Sequence, residues 1–239
     1  YRSIGPRADL VNSGTITVTS GSATVTKVGG TGWATDRRGR GDRFTVNGAT
    51  TYTVLAVDSE NQLTLSTPAT ASYSGPTYTI GRQYRNSTTG LQDWESCISF
   101  AAGCTFSPVS SASLVTDDRV EVGIVYDDDV ALSGPLTFDG STTDANHTIT
   151  LTVDPGNRHS GVAWSGSGAT PHAVVNNGSG TTPAIQVFDD HVTVEWLEIR
   201  GGSGASADLV SVNNVTAGSN RFLLRQSLLN TGTANGVNI

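Results

Sequence analysis

The chain has 239 residues, of which 36% are hydrophobic and only 15% charged, with 28 glycines, a single lysine (Lys27), no methionine and a net charge of −7. That length suffices for one large or two ordinary domains with a real core, and the abundance of Gly, Ser and Thr favours many short strands and tight turns over helices. The acidic balance argues against nucleic acid as a partner, and no apolar run reaches the ~18 residues that a membrane span needs.

From Gly14 to Ile80 the chain alternates apolar and polar residues in six short runs: 15–19, 23–26, 43–46, 52–57, 62–65 and 77–80. Ser20-Gly21, Asn47-Gly48 and Ser59-Glu60-Asn61 separate them at hairpin spacing, which predicts a small all-β barrel or sandwich over residues 1–85. The segment resembles the small β-barrel modules of phage tail and bacterial surface proteins, on the stretch 20–26, Gly32-Trp33, Gly41-Asp42 before Phe44-Thr45-Val46, and Leu63-Thr64-Leu65-Ser66. The resemblance implies a spacer or docking module without chemistry. Within it, Arg40-Gly41-Asp42 spells an integrin-recognition tripeptide inside a run of arginines. The reading preferred here is a tight turn entering a strand, its arginines solvated beside Asp36 and Asp42.

Residues 86–114 are expected to be a helical cap and linker. Thr89 and Gln92 have capping-box spacing, and Leu91, Trp94 and Ile98 share one helical face. Such a helix would cover the first of the stacked coils expected after it, whose open end would otherwise expose apolar residues and unpaired backbone groups. Cys97 and Cys104 are either two buried thiols or a disulfide. The disulfide, the choice made here, would contribute roughly 2–3 kcal/mol and places the protein in an oxidising compartment, extracellular or at the cell surface. Tyr1 opens a sequence without methionine, so a processed segment such as a signal peptide is expected before it. The sequons at Asn86, Asn146, Asn177 and Asn214 occur at about chance frequency and carry no weight.

From residue 115 to 239 further strand runs appear at 120–125, 135–138, 148–153 and 172–175, and then a repeat. Ile185-Gln186-Val187, Val210-Ser211-Val212 and Val237-Asn238-Ile239 correspond, and so do the runs 192–199 and 222–229. A repeat of this size, two short strands per unit with polar turns, is a sign of stacked coils. The stretch 184–199 carries a resemblance to the right-handed parallel β-helix of the pectate-lyase-like superfamily. Aligned so, Val192 falls beneath Phe222, Val194 beneath Leu224 and Ile199 beneath Leu229, with Glu195 against Arg225 as an outward ion pair.

That superfamily includes polysaccharide lyases and hydrolases, and the resemblance implies that any such chemistry would rest on the acids of this chain. A hydrolase needs carboxylates gathered from neighbouring coils, one to protonate the leaving oxygen and one to activate water. Asp189, Asp190 and His191 are the candidates, although Asn213-Asn214 follow one coil later, and an Asp/Asn corner also serves geometry alone. Asp127, Asp128 and Asp129 form the densest acidic run and could bind calcium weakly, but lack any EF-hand or nonapeptide spacing, and a solvated turn is the preferred reading. His147, His159 and His172 stand isolated in polar loops with no metal-ligand spacing. Trp164 and Trp196 are the aromatics to check for a carbohydrate-binding surface.

The expected function is therefore that of a non-enzymatic extracellular structural protein: a subunit of a surface appendage, fibre or tail-type stalk, self-associating head to tail because the chain stops within a strand, and possessing adhesive contacts to a glycan or cell surface. A polysaccharide lyase or glycoside hydrolase, and a carbohydrate-binding surface protein, are the alternatives. No cofactor is expected beyond calcium.

Overall fold

The computed structural model describes residues 1–7, 9–101, 109–178, 181–201, 208–213, 221–231 and 237–238. The protein is all-β with mixed sheets and one short α-helix among the described residues. It divides into two compact units, one of Tyr1–Ser3 with Arg7–Arg85 and the other of Ile4–Pro6 with Asn86–Ile239.

The first unit is antiparallel. After β1 (Arg2–Ile4) come β2 (Thr15–Val18), β3 (Thr24–Val28), β4 (Arg43–Val46), β5 (Thr50–Ser59), β6 (Gln62–Leu65), β7 (Tyr73–Ser74) and β8 (Tyr78–Gly81). Seven of them form one sheet in the order β7-β2-β3-β6-β5-β4-β8. Period-two alternation turns Ile16, Val18, Val25, Leu63 and Leu65 to one face, where they bury around Trp33, Phe44 and Tyr78. The Trp33 indole donates to the Tyr78 hydroxyl at 3.1 Å, and Phe44 stacks on Tyr78 at 5.5 Å between ring centroids. β5 pairs with β4 through its first half and with β6 through its second, and bulges after Val54 and Val57 let it bend between them.

The second unit holds α1 (Gly90–Ile98), then β9 (Glu121–Val125), β10 (Leu132–Ser133), β11 (Leu136–Phe138), β12 (Ile149–Val153), β13 (Val174–Asn176), β14 (Ile185–Val187), β15 (Val192–Glu195), β16 (Glu198–Gly201), β17 (Val210–Val212), β18 (Phe222–Arg225), β19 (Leu228–Thr231) and β20 (Val237–Asn238). They form three small parallel sheets, β9-β12-β15-β18 with Ile4 of β1 at its edge, β10-β13-β16-β19 and β11-β14-β17-β20. In register, Val192 partners Phe222, Val194 partners Leu224, Glu195 partners Arg225 and Ile199 partners Leu229. The buried partners Ile149 and Val192, and Leu151 and Val194, are fully enclosed, so apolar side chains meet from strand to strand across the sheet. In β9, Gly123 is required by packing: a Cβ there would stand 2.8 Å from the Trp94 ring and 3.0 Å from Ile4.

Several expectations need correction. The right-handed parallel β-helix of the pectate-lyase-like superfamily and the closed phage-type barrel do not describe this architecture, which consists of several small parallel and antiparallel sheets, one of them a curled half-barrel. The physical reasons are visible in the pairing. The first sheet leaves β7 and β8 at opposite ends without pairing them, so it stays open. The parallel strands are two to five residues long, and the chain between partners is uneven, from Leu136 to Ile185 in one step but from Ile185 only to Val210 in the next, so no uniform coil repeats. The single runs read at 192–199 and 222–229 are each two strands. Trp196 (φ 63°) and Gln226 (φ 50°) adopt the left-handed conformation between them and turn the chain from one sheet into another.

The integrin-like tripeptide is also resolved by packing. Asp42 is fully buried, its carboxylate accepts from Arg82 at 3.0 and 3.1 Å and from the Gly39 N–H, and Gly41 (φ 85°) sits so close to Ser3 that a Cβ would come within 2.6 Å. Arg82 is buried with it; of the arginines expected to be solvated, Arg37 and Arg40 are exposed and Arg43 is half-buried, but Arg38 is buried.

Candidate functional site

The helix sits on the outer edge of β11. Leu91, Trp94 and Ile98 supply the apolar face, and Trp94 meets Phe138 edge-on at 5.9 Å. The capping box is replaced: the Thr89 hydroxyl donates to Asp93 at 2.6 Å, Asn86 accepts from the Thr88 N–H, and Gln92 turns to the sheet. There the Gln92 amide accepts from the Thr137 N–H (2.9 Å) and donates to the Thr137 carbonyl (3.4 Å), as a neighbouring strand would. Glu95 continues this edge by accepting from the Asp139 N–H at 3.3 Å and from Gln92 at 2.8 Å.

Glu95 is the centre of an acidic corner. Asp139 follows β11 and is exposed; Asp189 follows β14, is only 8% exposed, donates its N–H to the Phe138 carbonyl and accepts from the Ser141 N–H at 3.1 Å. Burial is the main force pushing the Glu95 carboxyl up to about 7, against the bond from the Asp139 N–H and with the Asp189 charge adding to the rise. Burial likewise pushes Asp189 up to about 6, opposed by the Ser141 N–H and assisted by Asp139. Asp189 Oδ2, Asp190 Oδ1 and Ser141 Oγ are buried without a hydrogen-bond partner.

The sequence candidates are thus partly brought together. Asp189 and Asp190 belong to the corner. His191 contributes a backbone turn, with φ 52° and its carbonyl accepting from the Ile149 N–H at 3.2 Å. Asp127, Asp128 and Asp129 lie in another loop. There the Asp127 carboxylate accepts from the Thr170 hydroxyl and the Asp129 N–H, and Asp129 takes φ 67°, so the run works as a turn that ties down the loop at Thr170. Among the described residues no three His, Cys, Asp or Glu side chains group to hold a metal ion. Cys97 is buried on α1, whereas Cys104 lies outside the described residues.

The histidines are not isolated. His147 lies between Asp118 (3.1 Å) and Asp144 (2.7 Å), and these two hydrogen bonds raise its proton affinity. His172 meets the fully buried Glu198 at 2.6 Å; Glu198 also accepts from the Trp164 N–H at 2.8 Å and from Asn230 at 3.0 Å. The His159 ring packs on both His172 and Trp196. Arg158 stacks on the Trp196 ring at 4.5 Å and Arg200 on Trp164 at 4.9 Å, so each indole already has a guanidinium over its ring.

Sequence reasoning missed Glu95 and Glu198. Glu95 was legible, because it falls one helical turn after Leu91 on the apolar face, where a charge needs a reason. Glu198 was not, because the turn at Trp196 changes the alternation and reassigns which residues face inward.

No known family's model matches the chain, and no curated protein or solved structure matches it either.

Proposed function

We propose that this chain is a non-enzymatic structural protein of an exported, extracellular or cell-surface assembly, whose parallel sheets form a stiff support. The observation that carries the reading is the bonding of Glu198. Its two oxygens take donors from the 164 and 172 positions and from Asn230 on β19, so a charged group with chemical potential is fully engaged in fastening one loop to two strands. The stacked arginines argue the same way, since a sugar ring would have to displace them to reach either indole face. Electron microscopy and light scattering of the purified protein test the reading: assemblies formed by association of copies support it, and a protein that stays monomeric at high concentration counts against it. The Cys97–Cys104 disulfide belongs to the same proposal, with intact mass under non-reducing conditions two hydrogens below the reduced chain as its expected result.

One observation favours a second reading, a polysaccharide hydrolase. Asp139 and Asp189 stand at the ends of paired strands β11 and β14, where two neighbouring carboxylates, that of Asp189 with its proton affinity raised by burial, could serve as acid and base. Release of reducing ends from acidic polysaccharides, lost in Asp189→Asn, would establish it; no release across a broad glycan panel would dismiss it.

A further inference from the structure

The acidic corner has a property that neither reading uses. Four acidic residues from three elements are neighbours there: Glu95 on α1 accepts from the N–H of Asp139 after β11, and Asp189, followed by Asp190 after β14, bonds the Phe138 carbonyl and the Ser141 N–H on either side of Asp139. The charges facing them most strongly are acidic. Asp189 and Asp139 act on Glu95, and Asp139 and Asp190 act on Asp189; β10 brings only Leu132 and Ser133 to the helix, and on the side of β9, whose Gly123 faces Trp94, Arg119 donates to the Ile98 carbonyl at 2.9 Å and pairs with Glu121 at 2.6 Å. Glu95 is 3% exposed and Asp189 8%, yet Asp189 Oδ2, Asp190 Oδ1 and Ser141 Oγ have no hydrogen-bond partner. A buried acceptor without a donor costs free energy and calls for an occupant. A proton is the smallest one, because it removes one charge and converts an acceptor oxygen into a donor.

We propose that this corner is a proton-operated latch, in which a proton held between Glu95 and Asp189 seats α1 on the edge of β11 and its loss in alkaline solution releases the helix. The mechanical link is short. Glu95 accepts directly from the Asp139 N–H and holds Gln92, whose amide supplies both bonds to Thr137. When Glu95 and Asp189 are both ionised they repel across a water-poor contact, and the same four hydrogen bonds are the ones strained. The raised proton affinities of both groups agree with this arrangement.

Hydrogen exchange of the full chain, corrected for intrinsic rates, tests the latch at the amides of α1, Thr137 and Asp139. Between about pH 5.5 and about pH 8 the wild-type protection there should fall by about tenfold or more, while β4 and β5 of the first unit hold theirs. Glu95→Gln keeps an acceptor for the Asp139 N–H and has no proton to lose, although its amide nitrogen cannot accept from Gln92 as Glu95 Oε2 does, so its protection should be the same at both pH values. Should Glu95→Gln fail to fold, Asp189→Asn carries the test, with the loss of protection moved to higher pH or made shallower. An unchanged slope in whichever variant folds, or no slope in wild type, overturns the latch. Restoration of wild-type protection at about pH 8 by calcium, reversed by a chelator, also overturns it, since a cation would then be the occupant.

Discussion

The Asp42 site of the antiparallel unit and the acidic corner of the parallel unit bury charge in opposite ways. In the antiparallel unit Asp42 and Arg82 are both fully enclosed, and each carries the other's counter-charge at 3.0 Å. In the parallel unit Glu95 and Asp189 are buried against further acids, whereas Glu121 has Arg119 at 2.6 Å and Glu198 is enclosed by a histidine, a backbone N–H, an amide and, at 3.7 Å, the Arg200 guanidinium. Burial is common to these places and the partner differs: Asp42 faces a permanent cation, whereas burial, reinforced by neighbouring acids, leaves Glu95 and Asp189 holding their protons to higher pH. The acidic corner is set to respond to pH near neutrality.

The contrast breaks most sharply at Asp42. Asp42→Ala leaves the Arg82 guanidinium enclosed without its counter-charge and also removes the acceptor of the Gly39 N–H, which predicts a loss of about 3–5 kcal/mol in urea unfolding. Replacing both partners by apolar residues of similar volume should recover much of that loss. A small effect of Asp42→Ala alone would mean that water reaches the pair.

Glu198→Gln comes next. It keeps the shape and removes the charge that gathers His172, Trp164 and Asn230, and charge-assisted hydrogen bonds contribute about 1.5–3 kcal/mol each before relaxation. The expected net loss is about 2 kcal/mol, accompanied by faster proteolysis of the 155–170 segment that Glu198 holds down. A loss of stability without faster cleavage would show that Glu198 supports the sheets and leaves the loop alone.

Glu95→Gln should act with the opposite sign above neutrality. The folded chain holds the Glu95 proton up to about pH 7, above the ordinary value of 4.5, so the folded state binds more protons than the unfolded one between those values. Stability conferred by this group is therefore complete below about pH 4.5 and falls as pH rises through about 7. At about pH 8 the variant should be the more stable protein by ~1–3 kcal/mol, with little difference near pH 4. Denaturant midpoints of both proteins across this window measure it.

How much of this was legible depended on whether the deciding contact is local. The strands β4 and β6 stand where alternation put them, and the meeting of Val192 with Phe222 and of Ile199 with Leu229 followed from matching apolar spacing. The step from those ladders to a regular coil failed, because the lengths between partner strands follow from the long loop that holds Trp164 and His172, and no periodicity announces it. Asp189 and Asp190 were visible as a pair, but the importance of Asp189 comes from Glu95, which lies far away in sequence on a helix read only for its apolar face. Charged residues that a turn carries inward, such as Asp42 and Glu198, are written in the same letters as solvated ones.

The mildest departure from the comparison is at the surface of the parallel unit, where a counter-charge is again present. Arg225 donates to Glu195 at 2.6 Å across β15 and β18, and Glu195 also accepts from the Thr152 hydroxyl at 2.8 Å on the preceding strand. Thus one carboxylate links three neighbouring strands, but Arg225 is 54% exposed, so water competes for the guanidinium and salt screens it. A double-mutant cycle of Glu195→Ala and Arg225→Ala should give a coupling under about 1 kcal/mol that shrinks further in molar salt. The single Glu195→Ala change should cost more than Arg225→Ala, because only the former also frees Thr152. Equal single-site losses would mean that the Thr152 bond adds nothing, and a coupling well above that range would place this pair with Asp42 and Arg82 as a desolvated ion pair.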